Sequence, residues 1–315
     1  MPSAPRDLPT WTLAAAALRA GRSAALLCVL RSEGSSPGRQ GFKMTVTAEA
    51  VAGSIGGGIM EHKWVELARQ RLGESDYSPL LRPQIHRREA AADRSGMMCA
   101  GEQEILLWPL KLEDLPVVAA IEQTLQTLGT GAWEVSEATG LRFIEDAPAG
   151  FYNYQPGPAW RYREQLGFRD QLIIVGGGHV SLALSQVANN LEFEITVLDD
   201  RADLPTLNAN HFAHHRQRVD YETLAIAPGT HCYVVVMTVG YRTDAVVLRR
   251  LLGHAYRYLG VLGSATKVAE LRRVLAEEGF DLRRLRGPIG VPISSRLPEE
   301  IAVSVAAELI AVRNA

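Results

Sequence analysis

QLIIVGGGHVSLALSQVANNLEFEITVLDD (171–200) decides the fold of this 315-residue chain. After Gln171, residues 172–175 are apolar throughout and run into three glycines, so they read as a buried strand and its turn. Residues 181–191 read as a helix, and 193–200 as a second strand that ends in two acids. GGGHVS (176–181) fits G-x-G-x-x-S between a strand and a helix, with Ser181 where a third Gly or Ala is more usual. In a dinucleotide fold Gly176 makes the turn, and Gly178 lets a phosphate approach the backbone. The helix N-terminus behind Gly177 and Gly178 offers unpaired N–H groups. Asp199 or Asp200, about 20 residues on, would bond a ribose hydroxyl. His179 points a titratable ring at any such phosphate, and Arg201 follows the acids. The alternative is a scaffold of the same type whose loop holds no dinucleotide.

The pattern continues downstream. Strands are expected at 231–238 and 256–264, and helices at 243–253, 265–279 and 298–314. Apolar strands alternating with helices imply a parallel sheet covered on both faces. Upstream, residues 145–165 hold three prolines, two glycines and many aromatics without a period, and read as a linker or a surface excursion. Before them, strands are expected at 24–30, 43–47 and 104–110, with helical segments beginning at 10, 59 and 113. The expected class is α/β. An N-terminal α/β domain (1–145) is followed by a linker (146–166) and a Rossmann-like C-terminal domain with a doubly wound parallel sheet (167–315). The length suits two domains.

Lys plus Arg number 33 and Asp plus Glu 35, a net charge of −2, and neither half carries a basic surplus. That argues against nucleic acid or an anionic membrane as a partner held by bulk charge. Cys28, Cys99 and Cys232 are too few and too scattered for a disulfide framework or a four-ligand zinc site. The first residues lack the basic-then-apolar pattern of a signal peptide, and no apolar run approaches the roughly 20 residues that span a bilayer. A cytoplasmic protein is expected.

GSIGGG (53–58) precedes a second helix. Gly53, Ser54, Gly56, Gly57 and Gly58 form a backbone able to wrap an anion or a flat heterocycle, or else a tight connection with no ligand. Glu61 near the helix start is stabilising by itself. In GMMCAGEQ (96–103), Cys99 is either a small apolar filler or an accessible thiol. Cys28 and Cys232 lie in apolar strands and read as filler. His211, His214 and His215 have metal-like spacing, but Arg216 and Arg218 beside them oppose a cation, so a solvated loop or edge strand is the reading. No nucleophile elbow or paired-carboxylate setting is visible, and no catalytic residue is assigned.

Longer motifs resemble the xanthine dehydrogenase accessory (XdhC/CoxI) family of molybdenum hydroxylase maturation factors. SSPGRQGFKM (35–44), GSIGGGIMEH (53–62) and GMMCAGE (96–102) resemble its N-terminal motifs. LIIVGGGHVSLAL (172–184), VLDDRADL (197–204), YLGVLGSATKVAELRRVLAEEGF (258–280) and GPIGVPISSRLPEEIAVSVAAELI (287–310) resemble those of its Rossmann domain. The resemblance implies a chaperone that binds the molybdenum cofactor (molybdopterin, in mono- or dinucleotide form) and protects it during sulfuration by a cysteine desulfurase or sulfurtransferase. It then inserts the cofactor into an apo-hydroxylase of the xanthine dehydrogenase or aldehyde oxidoreductase type. The implied binding residues are those of the two glycine loops with Glu61, Gly101, His179, Asp199, Asp200, Gly263, Ser264 and Lys267, and Cys99 as a molybdenum contact. A homodimer is the expected assembly. The competing function is an NAD(P)-dependent oxidoreductase built on the C-terminal domain. The sequence also departs from the family's "TH.H..D" pattern: TVGYRTD (238–244) has Val239 and Tyr241 in place of both histidines. Ala100 follows Cys99 where Gly is commoner, and Pro292 replaces an acid.

Overall fold

The computed structural model describes residues 1–74, 78–85, 101–146 and 150–315. Contacts divide them into two units, Ala4–Gly167 and Phe168–Ala315, the second taking in Met1–Ser3.

The N-terminal unit opens with α1 (Leu8–Arg19), which carries Pro9 in its first turn, where a missing N–H costs nothing. There follow β1 (Ala24–Gly34), β2 (Lys43–Val46), β3 (Val51–Gly53), α2 (Gly58–Leu72), β4 (Leu80–Ile85) and β5 (Gly101–Leu110). They form an antiparallel sheet of order β3-β2-β1-β5-β4. AALLCVL makes β1 its central strand because both faces are apolar. Leu26, Cys28 and Leu30 pack with Trp11 and Leu18 of α1. Ala25, Leu27 and Val29 pack with Trp64 and Val65 of α2.

Next come α3 (Leu115–Gln126), β6 (Ala132–Ser136), β7 (Gly140–Ile144), β8 (Tyr152–Gln155) and β9 (Arg161–Gln165), the four strands forming a second antiparallel sheet, β7-β6-β9-β8. This corrects the expected linker: residues 152–155 and 161–165 are paired strands, and Trp160 and Tyr162 are core residues. Charges masked them. Glu134 of β6 is buried because Arg163, directly opposite on β9, donates two hydrogen bonds of 3.0 and 2.7 Å to it. The aromatic core has edge-on pairs, Trp11 with Trp133 at 5.4 Å and Trp108 with Trp160 at 6.3 Å.

The C-terminal unit is β10 (Asp170–Val175), α4 (His179–Ala188), β11 (Phe193–Asp199), α5 (Pro205–Asn208), β12 (His215–Arg218), β13 (Gly229–Val236), α6 (Tyr241–Leu251), β14 (Tyr256–Val261), α7 (Ala265–Glu277), β15 (Leu285–Arg286) and α8 (Pro298–Asn314). All six strands are parallel, in the order β12-β11-β10-β13-β14-β15. Alternate residues feed two cores. Leu172, Ile174, Val197 and Val235 pack with α4 and α8 on one face. Val234, Val236 and Val261 pack with α6 and α7 on the other. This is the doubly wound sheet expected from the sequence, and its strand order reverses between β10 and β13. Among the described residues, no helix is long and apolar enough to cross a membrane.

The histidine cluster lies beside and on the edge strand β12. His214 accepts from Ile195 N at 2.9 Å through Nδ1 and donates to Ser3 O at 2.9 Å through Nε2. Burial holds its pKa below the usual value, so it is a neutral structural bridge. Among the described residues no group of three potential ligands gathers for a metal.

Candidate functional site

The strand-order reversal opens a crevice at the C-terminal ends of β10 and β13, where parallel α/β sheets bind ligands. Two loops flank it, 176–178 after β10 and 237–240 after β13. Gly176 has φ +112°, and a Cβ there would overlap the carbonyl of Met237, so glycine is required by both conformation and packing. Gly178 is different. Its φ is −72°, which any residue adopts, and a Cβ would meet nothing within 4 Å. Gly240, with φ −158°, is equally free of neighbours. The fold requires glycine at neither position, and both leave open space in front of the N-termini of α4 and α6. N–H groups at such termini, with the helix dipoles behind them, attract anions. Ser181 Oγ, in the first turn of α4, is buried and has no hydrogen-bond partner among the described residues. His179 opens α4 and is exposed.

The acid expected to read a ribose is already engaged. Asp199 is fully buried and accepts from Gly177 N at 2.7 Å and from Arg201 through its backbone N–H, Nε and Nη2 at 2.8–2.9 Å. Burial would raise its carboxyl, but the Arg201 guanidinium and these N–H groups hold it below the usual carboxylate range. Asp199 therefore fixes the glycine loop, and Asp200 is the exposed acid at the strand end. Thr206 Oγ1 steadies the same loop by donating to Gly177 O at 2.5 Å.

Lys267, one of the residues expected to meet the cofactor, is ion-paired with buried Asp244 and donates to Leu262 O at 3.1 Å. Asp244 also accepts from the backbone and hydroxyl of Thr238, at 3.0 and 2.6 Å. Thr238 and Asp244, the retained ends of the family's loop, thus tie the β13 loop to α6 and to α7. Ser264 caps α7 by accepting from Lys267 N, and the space a Cβ at Gly263 would take is filled by the Lys267 stem. Between Thr238 and Asp244, Val239 is 75% exposed and Tyr241 42% exposed, at the crevice mouth.

In the N-terminal unit the first two motifs and Gly101 of the third come together. A Cβ on Gly56 would overlap Pro37 and Gly38, and one on Gly101 would overlap Ser36. Gln103 accepts from Ser36 Oγ at 2.7 Å and Gly38 N at 3.2 Å, and donates to Gln84, which also accepts from Trp64 Nε1. No residue pattern announces this buried amide relay, since its members are distant in the chain. The glycine loop itself is closed by its own helix. One oxygen of Glu61 accepts from Ser54 Oγ at 2.6 Å and from Ile55 N and Gly57 N at 2.9 Å each. The donors expected to cradle an anion already hold a carboxylate. Gly53, Gly56, Gly57 and Gly58 all have positive φ, so their glycines are conformational requirements. Cys99 lies outside the described residues.

Lys43, at the end of the first motif, is fully buried. It donates to Glu164 at 2.8 Å and to Gly41 O at 2.8 Å, and is ion-paired with Asp7. Tyr162 OH donates to the other Glu164 oxygen at 2.9 Å. Burial pushes the Glu164 carboxyl up to about 7, and Asp7, which competes for the same ammonium, pushes the same way. Cys28 is buried nearby, and burial pushes its thiol well up. Burial raises Cys232 to about 11. Both are inert fillers of their strands, as expected.

Residues 172–309 match the model of the XdhC Rossmann domain, and residues 17–82 that of the XdhC and CoxI family. The chain is 27% identical over 303 residues to the uncharacterised protein YqeB of Escherichia coli K12, covering 92% of this chain and 43% of YqeB. It is 29% identical over 150 residues to a probable xanthine dehydrogenase subunit of Bacillus subtilis 168, covering 46% of this chain and 44% of that one. The chain thus spans less than half the length of both curated relatives. A crystal structure described as a xanthine dehydrogenase from Bacillus halodurans has the same fold, with a TM-score of 0.69 at 23% identity over 97% of this chain and 96% of that one.

Proposed function

Given that the chain belongs to the XdhC family, we propose that it matures a molybdenum hydroxylase by binding the molybdenum cofactor and passing it to an apo-enzyme of the xanthine dehydrogenase or aldehyde oxidoreductase type. Sulfuration of the held cofactor by a sulfurtransferase partner belongs to the same proposal. The name of the Bacillus subtilis relative supports the choice of client.

The observation that carries the reading is the pair Gly178 and Gly240. Two glycines that neither backbone conformation nor packing requires flank one crevice. When bound, the cofactor supplies a molybdenum atom carried on a phosphorylated pterin. The N–H groups that open α4 and α6 would receive its phosphate or pyrophosphate. Exposed Val239 and Tyr241 would offer apolar surface to its flat part. Glu61 already fills the donors of the N-terminal loop, so the phosphate is assigned to the C-terminal crevice.

The test is anaerobic purification followed by molybdenum and pterin assay. Near-stoichiometric pterin is expected in the unaltered chain. Gly178→Val, whose side chain would stand in the open space, should retain at least about tenfold less while keeping its fold. Pterin-free protein that binds NADPH tightly and turns it over would replace this reading with the oxidoreductase one.

A further inference from the structure

A second cleft lies at the opposite end of the same parallel sheet, where β13 and β14 begin. Its volume is about 530 Å³, within the range of small-molecule sites. Its floor is apolar, with Leu252, Tyr256 and Leu259. Arg257, Arg283, Arg284 and Arg286 line it, with Asp281 the one carboxylate among its lining residues. The whole chain carries −2, so four guanidinium groups around one cleft are a local concentration against the overall balance. Arg283 is paired with Asp281 at 2.7 Å and Arg286 with Glu308 at 3.4 Å, while Arg257 donates to the neutral carbonyl of Val312. Arg284 is exposed. Exposed His254 stands 6.3 Å from the Tyr256 ring, edge-on.

We propose that this cleft binds a nucleoside polyphosphate, apart from the glycine-loop crevice. Guanidinium forks match phosphate oxygens bidentately, and several around one cleft suit a chain of phosphates better than a single carboxylate. The apolar floor and the His254 ring suit a base. A cleft of about 530 Å³ holds a small polyanion whole, whereas an acidic peptide would run beyond the four guanidinium groups.

The experiment is calorimetric titration of the full chain with ADP, in a Gly178→Val background that blocks the glycine loop. One ADP is expected to bind, weakening between about 50 mM and about 200 mM salt as screening requires. Arg283→Ala with Arg284→Ala, both exposed and outside the cores, should weaken it at least about tenfold. Asp281→Asn removes the charge that competes for Arg283 and should tighten binding about threefold, a gain that misfolding cannot imitate. The proposal falls if ADP does not bind in that background. It also falls if the arginine variants bind ADP unchanged, or if a glutamate decapeptide binds at least as tightly as ADP.

Discussion

Glycine 178 does three things at once. It opens the crevice, it caps the N-terminus of α4, and it costs the fold conformational entropy that no packing constraint demands. Gly178→Ala gains about 0.4–1 kcal/mol through the unfolded chain but loses a comparable amount because glycine is the better N-cap of α4. Stability in urea denaturation is therefore expected to stay within about 0.5 kcal/mol of the parent, even as the proposed phosphate site narrows. A loss well beyond that would show that the glycine serves packing after all. Lys43 is the opposite case, a charge the N-terminal core depends on. Lys43→Met strands Glu164 and Asp7 and should cost about 3–5 kcal/mol by the same measurement. Glu164 gives this core a pH dependence. Its folded-state pKa, about 7, lies above its ordinary value, so its stabilising contribution is full below about pH 4.5 and lost as pH rises through 7. Melting temperature followed by circular dichroism should fall across that window, and the slope should flatten in Glu164→Gln. An equal slope in the variant would place the titration elsewhere. None of these roles was legible from residue type, because each depends on which charges the tertiary fold brings together. The same holds for Asp199, whose place at a strand end was readable while its capture by Arg201 and Gly177 was not.

Elements differ in how far their sequence announces them. The four central strands of the parallel sheet are largely apolar and punctuated by glycines and capping residues, so β10, β11, β13 and β14 and their helices stand close to where periodicity puts them. Helix α8 spans Pro298–Asn314, the expected bounds. The strands β6 to β9 run four or five residues each, carry Glu134, Arg161, Arg163 and Glu164, and pair with strands that periodicity also missed. A short strand whose buried acids are neutralised across the sheet has no apolar alternation to read. Paired elements also carry a prediction. The link from the β13 loop through Asp244 to α7 rests on one ammonium group, so Lys267→Met should destabilise the C-terminal unit by about 3–5 kcal/mol. The companion change Asp244→Asn in that background should recover part of the loss, because it removes the stranded charge. Failure of that rescue in urea melts would mean that the loop is held by other contacts.

At the scale of the whole molecule, the chain holds two units with separate cores, and the family's two motif groups fall one in each. The N-terminal motifs build a loop closed by its own carboxylate, and the C-terminal motifs build a crevice left open. Scanning calorimetry is expected to resolve more than one transition. Lys43→Met should move only the N-terminal one and Lys267→Met only the C-terminal one. A single transition displaced alike by both would show that the units unfold as one. The tryptophans add a practical asymmetry. Trp11, Trp64, Trp108, Trp133 and Trp160 are all five of the chain's indoles, and all belong to Ala4–Gly167. Intrinsic indole emission is thus a built-in reporter for one unit alone, while tyrosine absorbance and far-ultraviolet dichroism also register the other. The protein carries its own optical label for telling which half has come apart.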